Sequence, residues 1–193
     1  DNSSSLRKKE TMPRLPLRNL LLPWALILFL IGWHVATLAR VPAIPTADDG
    51  TYSAAAFHFW HTGHPGVPGF RNVLGLSHDV FIFGRTAAAF QGFFIWLFGV
   101  SLFNALLPSI LAGLWMLAVT YYLGRSLWDP AQAFLAALIL ALSGVFFIAS
   151  HSSRPDLLLS CYWVTALYFV SSAEPGKWSI RYLLAGLLMG FSG

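Results

Sequence analysis

Charge is scarce in this 193-residue chain: Asp, Glu, Lys and Arg together make up 10%, where soluble domains carry roughly 25%. The scarcity is concentrated. No charged side chain occurs between Arg85 and Arg125, between Asp129 and Arg154, between Asp156 and Glu174, or over residues 19–39. A soluble helix of such length needs a polar face, and none is visible. Uninterrupted apolar stretches of about 18 residues or more read as transmembrane helices, because lipid offers no partner to an open backbone. Cysteine is nearly absent too. The single Cys161 excludes an internal disulfide and, lying in an apolar segment, reads as a small packing side chain. No internal repeat is found. What is abundant is hydrophobic surface: 56% of residues, with eight Trp and sixteen Phe.

These features predict an all-α fold, a polytopic transmembrane helix bundle. Arg7, Lys8, Lys9, Arg14 and Arg18 precede the first apolar run, and no comparable cluster follows it. By the positive-inside rule, residues 1–18 form a cytoplasmic basic tail and the chain beyond about residue 40 is outside. The tail reads as a topology signal and not as a nucleic-acid-binding arm. The run it precedes is about twenty residues long, which favours a retained anchor over a cleaved signal peptide, with Met12 as a candidate natural start. Spans are expected at about 19–39, 103–124, 131–150, 157–173 and from 182 onward to 193. The chain ends inside what reads as a new helix, so this N-terminal part is expected to be inactive alone.

Between the first two of these spans lies a long outer loop, expected to form juxtamembrane helices over about 46–99. Thr46-Ala47-Asp48-Asp49-Gly50 reads as a helix start, with the acidic pair at the positive helix end. The Gly63–Gly69 stretch, rich in Gly and Pro, marks a loop. Segment 80–99 contains Arg85 and Gln91, an interrupted, interfacial pattern. Two topologies remain. If 80–99 spans, the link around Arg154 lies inside. If it lies along the outer surface, that link shares a face with Asp48. The second option places Arg125 and the Lys177/Arg181 link in the cytoplasm, leaves only Arg154 against the rule, and is preferred.

On that topology two acidic motifs meet on one face: Asp48-Asp49, and Arg154-Pro155-Asp156. Carboxylates at a lipid boundary are costly to desolvate, and a carboxylate pair suits general-base work near neutral pH. The plainer reading is that Asp48 and Asp49 cap a helix while Asp156 pairs with Arg154.

The order of elements resembles a family. Ala47-Asp48-Asp49-Gly50-Thr51-Tyr52 is followed by Leu97-Phe98-Gly99-Val100-Ser101, Leu107-Pro108-Ser109, Tyr122-Leu123-Gly124-Arg125 and Ser153-Arg154-Pro155-Asp156. Together, over about residues 12–193, they resemble the start of the C-type membrane glycosyltransferases of the protein-mannosyltransferase and aminoarabinose-transferase-like group. The resemblance implies transfer of a sugar from a polyprenyl-phosphate donor to an acceptor protein, lipid or glycan on the outer face. It implies Asp48 as base, Asp49 where a Glu is usual, and Asp156 as the second acid. The lipid phosphate leaves bearing its own negative charge, so the enzyme deprotonates the acceptor and holds the phosphate. Arg85 and Arg154 are the candidate phosphate ligands, Arg85 first, since it sits where a lipid headgroup would lie.

No cofactor is expected. A divalent metal is a lesser alternative: His58 and His61 share a helical face and with Asp48 or Asp49 would form a zinc- or manganese-binding set. Rival classes are a membrane transporter, which predicts polar residues within the spans, and a non-catalytic membrane scaffold. The expected location is the bacterial inner or plasma membrane.

Overall fold

A computed structural model describes residues 47–64, 66–67, 85–173 and 179–191, together with Ala25, Leu28, Phe29, Gly32, Trp33, Ala36 and Thr37 of the first expected span. Those seven positions are helical. The basic tail 1–18, and with it Met12, lies outside the described residues. Beyond them come seven helices, with no strand among the described residues: α1 (Ala47–Thr62), α2 (Arg85–Phe98), α3 (Leu102–Leu127), α4 (Pro130–Leu142), α5 (Gly144–Ser150), α6 (Asp156–Ser171) and α7 (Ile180–Phe191).

The polar residues that interrupt the apolar runs act as caps. Ser101 opens α3 by accepting from the N–H of Asn104 at 3.1 Å. Gly99, with φ of 86°, makes the corner before it, and Asn104 Nδ2 secures that corner by donating to the carbonyls of Phe98 and Gly99, both at 2.9 Å. Asp129 opens α4, its Oδ1 accepting from Ala131 N and Gln132 N, with Pro130 at the first helical position where its missing N–H costs nothing.

Helix α3 has 26 residues at a mean hydropathy of 1.9, so it is about 39 Å long and exceeds the roughly 30 Å hydrocarbon core. It is the one unbroken helix among the described residues that is long and apolar enough to cross. The run expected over 131–150 is two helices, α4 and α5, meeting at 67°. Ser143 makes the break: its N–H donates to the Leu140 carbonyl at 3.1 Å, closing α4, while its Oγ accepts from Phe146 N at 3.4 Å, opening α5. Within segment 80–99 the described residues begin at Arg85, and Arg85–Phe98 is helical.

Burial runs opposite to that of a soluble protein. The inner face of α4 is Ala133, Ala137 and Ala141, while Leu135, Ile139 and Leu142 face outward. Small residues let backbones approach and large apolar ones meet lipid, which is how membrane helices pack. Three glycines mark the close approaches. A Cβ on Gly92 of α2 would sit 2.5 Å from the Ala56 carbonyl of α1, on Gly113 of α3 3.1 Å from Ser150 Cβ, and on Gly124 2.9 Å from Ala133 of α4. The chain is thus an all-α membrane bundle. Helices α1 and α2, the start of α3 and the 151–155 loop lie at one end, where Thr86 Oγ1 also donates to the Phe191 carbonyl at the end of α7. The far end is marked by the Ser126–Ser171 hydroxyl contact at 3.1 Å.

Candidate active site

The first acidic motif occupies the first turn of α1. Asp49 is 6% exposed, and its Oδ1 accepts from Ser152 Oγ at 2.6 Å, Ser153 N at 2.7 Å and Ser153 Oγ at 3.1 Å. The Ser153 hydroxyl also lies 2.9 Å from the Asp49 carbonyl oxygen. A carboxylate at this depth costs several kcal/mol unless donors replace its water, and Ser152 and Ser153 replace it. The residue before them extends the grip. His151 Nδ1 donates to the Phe147 carbonyl at 2.8 Å, and its Nε2 meets Thr37 Oγ1 of the first expected span at 3.3 Å. The tripeptide His151-Ser152-Ser153 therefore holds the chain on both sides of the 38–48 connection.

The second acidic motif begins one residue later. Arg154 Nε and Asp156 Oδ2 are 2.9 Å apart, and both side chains are nearly half exposed. Asp156 stands in the first turn of α6, favourable to its charge. The two acidic motifs are thus joined, through Asp49 and the serines. Arg85 is the exposed first residue of α2; Ala88, one turn further on, lines a small cavity together with Arg154. The backbone of Asp48 is the second residue of α1, and its side chain lies outside those described.

Asp49 also lines an open groove of about 640 Å³, formed by the Asp49–Ser53–Phe57 face of α1 against Ile95, Val100 and Leu102. Its walls are mostly apolar, with Asp49, Ser53, His58, Ser101 and Ser153 as the polar groups, the usual make-up of a ligand site. The histidines of the metal alternative are engaged locally: His58 Nδ1 donates to the His64 carbonyl at 2.8 Å and His61 Nδ1 to that of Phe57 at 2.9 Å. Among the described residues, no three His, Cys, Asp or Glu side chains gather to hold a metal ion.

Sequence reasoning named Asp49 and missed its partners. Adjacent serines before an Arg-Pro-Asp motif carry no signal of their own; only the fold reveals that they face an acid 103 and 104 residues earlier.

A family model described as dolichyl-phosphate-mannose-protein mannosyltransferase matches residues 86–192, that is 192 − 86 + 1 = 107 of the 193 residues. The chain belongs to this family. It is accordingly an integral membrane glycosyltransferase of the C type, in a family whose partners are lipid-linked sugars and acceptor proteins or glycans. No significant match was found among curated proteins or solved structures. The matched region holds Ser152, Ser153, Arg154 and Asp156 but not Asp48 or Asp49, so the mannosyltransferase-like segment reaches the first acidic motif through the Asp49 hydrogen bonds.

Proposed function

We propose that this protein transfers a sugar from a polyprenyl-phosphate donor to an acceptor hydroxyl or amine at the outer face of the membrane, with Asp48 as the base. The observation that carries this reading is the Asp49 carboxylate held by Ser152 and Ser153 in the lining of a largely apolar groove. With its Oδ1 committed to three donors, Asp49 serves as an anchor, and the base falls to its neighbour Asp48. Three donors on one oxygen fix the first turn of α1, and so the backbone from which Asp48 projects.

In the proposed reaction Asp48 removes the acceptor proton while the acceptor oxygen or nitrogen attacks the anomeric carbon. The bond to the lipid phosphate breaks with its electron pair, and the phosphate departs with its charge offset by Arg85 and Arg154. In-line attack inverts the anomeric centre. Asp156 orients Arg154. The N-terminus is cytoplasmic, in keeping with its basic residues, and α1 and α2 lie along the outer interface of a bacterial inner or plasma membrane, Arg85 and Gln91 interrupting the apolar run of α2.

The test is Asp48→Asn in the full-length protein, assayed with radiolabelled polyprenyl-phosphate mannose and aminoarabinose. The expected loss of transfer is at least a hundredfold, as for removal of a general base. Transfer at the wild-type rate with either donor rules out this mechanism.

A further inference from the structure

Where α1, α2, α3 and the 153–155 loop meet, the structure forms a small, partly open cavity of about 20 Å³ lined by Tyr52, Gln91, Ser109, Ser153 and Arg154 among others. Three of these residues are buried, Ser153 at 4% exposure, Ser109 at 6% and Gln91 at 7%, and Ser153 is already engaged with Asp49. Gln91 Nε2 donates to the Ala105 carbonyl and to Ser53 Oγ, both at 3.2 Å. A carbonyl only accepts, so the amide nitrogen faces it and Oε1 is turned away. Among the described residues no hydrogen bond reaches that Oε1 or Ser109 Oγ. Two buried residues, one with an acceptor to spare and one with a hydroxyl able to donate and accept, thus line the same small space. Each left unpaired costs roughly 1–3 kcal/mol, and native proteins rarely leave such groups without a partner.

We propose that this cavity is a binding site for a single hydroxyl-sized guest, which donates to Gln91 Oε1 and accepts from the Ser109 hydroxyl. The volume fits one such group, since a water needs about 10–15 Å³ of this kind of space and two to four polar partners. Phosphate and intact sugar rings are too large. The guest has two possible sources with the same chemistry: a resident water, or one hydroxyl of the sugar substrate pushed in beside Arg154. The second source rests on the glycosyltransferase reading above, and the first does not.

Thermal unfolding of the full-length protein and of Ser109→Ala and Ser109→Cys, with and without polyprenyl-phosphate mannose, separates these outcomes. Cysteine keeps the volume while weakening the donor, and controls for the helix preference of alanine. If water is the guest, both variants unfold about 2–4 °C lower without donor. If a sugar hydroxyl is the guest, the site is empty without donor, so the variants unfold at or above the wild-type temperature there, but they lose part of the stabilisation that the donor brings and show a higher KM. A site empty in both conditions leaves the variants at or above the wild type with and without donor, because removing an unpaired buried hydroxyl stabilises. Variants that do not unfold lower without donor and that also keep the full donor stabilisation overturn the proposal. If the wild type shows no donor effect, it is the glycosyltransferase reading with this donor that fails, while the water comparison stands.

Discussion

The backbone N–H of Ser153 lies 2.7 Å from Oδ1 of Asp49, a residue 104 positions earlier. This bond and the two hydroxyls beside it join α1 to the 151–155 loop of the mannosyltransferase-like segment. They account for an aspartate that is buried at the edge of a membrane bundle.

That anchor is expected to matter for both stability and rate. Ser153→Ala leaves the backbone bond but removes a hydroxyl from a buried carboxylate, for an expected loss of about 1–3 kcal/mol. Transfer should fall at least tenfold while KM for the donor changes little, because the acceptor base is misplaced and the phosphate contacts are not. Ser153→Thr, which keeps the hydroxyl, should recover most of the rate. Stability by thermal unfolding and steady-state kinetics on the same preparations check this. Equal losses in Ser153→Ala and Ser153→Thr would point to packing instead.

The Arg154–Asp156 pair should behave in the opposite way. Both side chains are nearly half exposed, and pairs of that kind contribute about 0–1 kcal/mol. Asp156→Asn and Arg154→Ala should therefore unfold close to the wild-type temperature while losing transfer, with Arg154→Ala raising KM for the lipid donor. Wild-type kinetics in both would remove the pair from the site.

Gly92 offers a test of the helix packing beneath the site. A methyl group there meets the Ala56 carbonyl at 2.5 Å, and a backbone oxygen cannot swing aside, so α1 and α2 must separate. Gly92→Ala is expected to cost about 1–3 kcal/mol, whereas Gly186→Ala, with nothing within 4 Å of the added carbon, should be neutral or slightly stabilising. Thermal melts of the two variants side by side give the comparison.

Orientation can be read by cysteine labelling, with little background because the native Cys161 is fully buried. Val100 is 79% exposed at the α2–α3 corner and Trp128 58% exposed at the opposite end of α3. An impermeant maleimide should label Val100→Cys on intact cells or spheroplasts, and Trp128→Cys only after permeabilisation. The reverse pattern would place the site in the cytoplasm.

Much of the architecture was legible because charge-free runs and their polar punctuation carry it. Asp129-Pro130 and Ser101 mark helix starts by local chemistry, and the helices begin there. The bend at Ser143 was not legible. A serine and a glycine inside an apolar run are common in straight membrane helices, and the break depends on which backbone groups Ser143 satisfies. The site divides in the same way. Its acids stand out as the rare charges of an apolar chain, whereas Ser152, Ser153 and Gln91 act through partners 14 to 104 residues away that no local pattern announces.

The Thr86–Phe191 bond, spanning 105 residues, bears on how the protein is made. At about 5–20 residues per second, the ribosome needs roughly 5–20 s to extend the chain from the start of α2 to its docking point on α7. The Asp49–Ser153 contact imposes a similar delay on the start of α1. Pairing of α1 with α2 through Gly92 needs only residues close in sequence, so these two helices can assemble early. They then wait, with exposed aromatic faces that include Trp60, Phe93 and Trp96, until the translocon has released the helices that complete their seat.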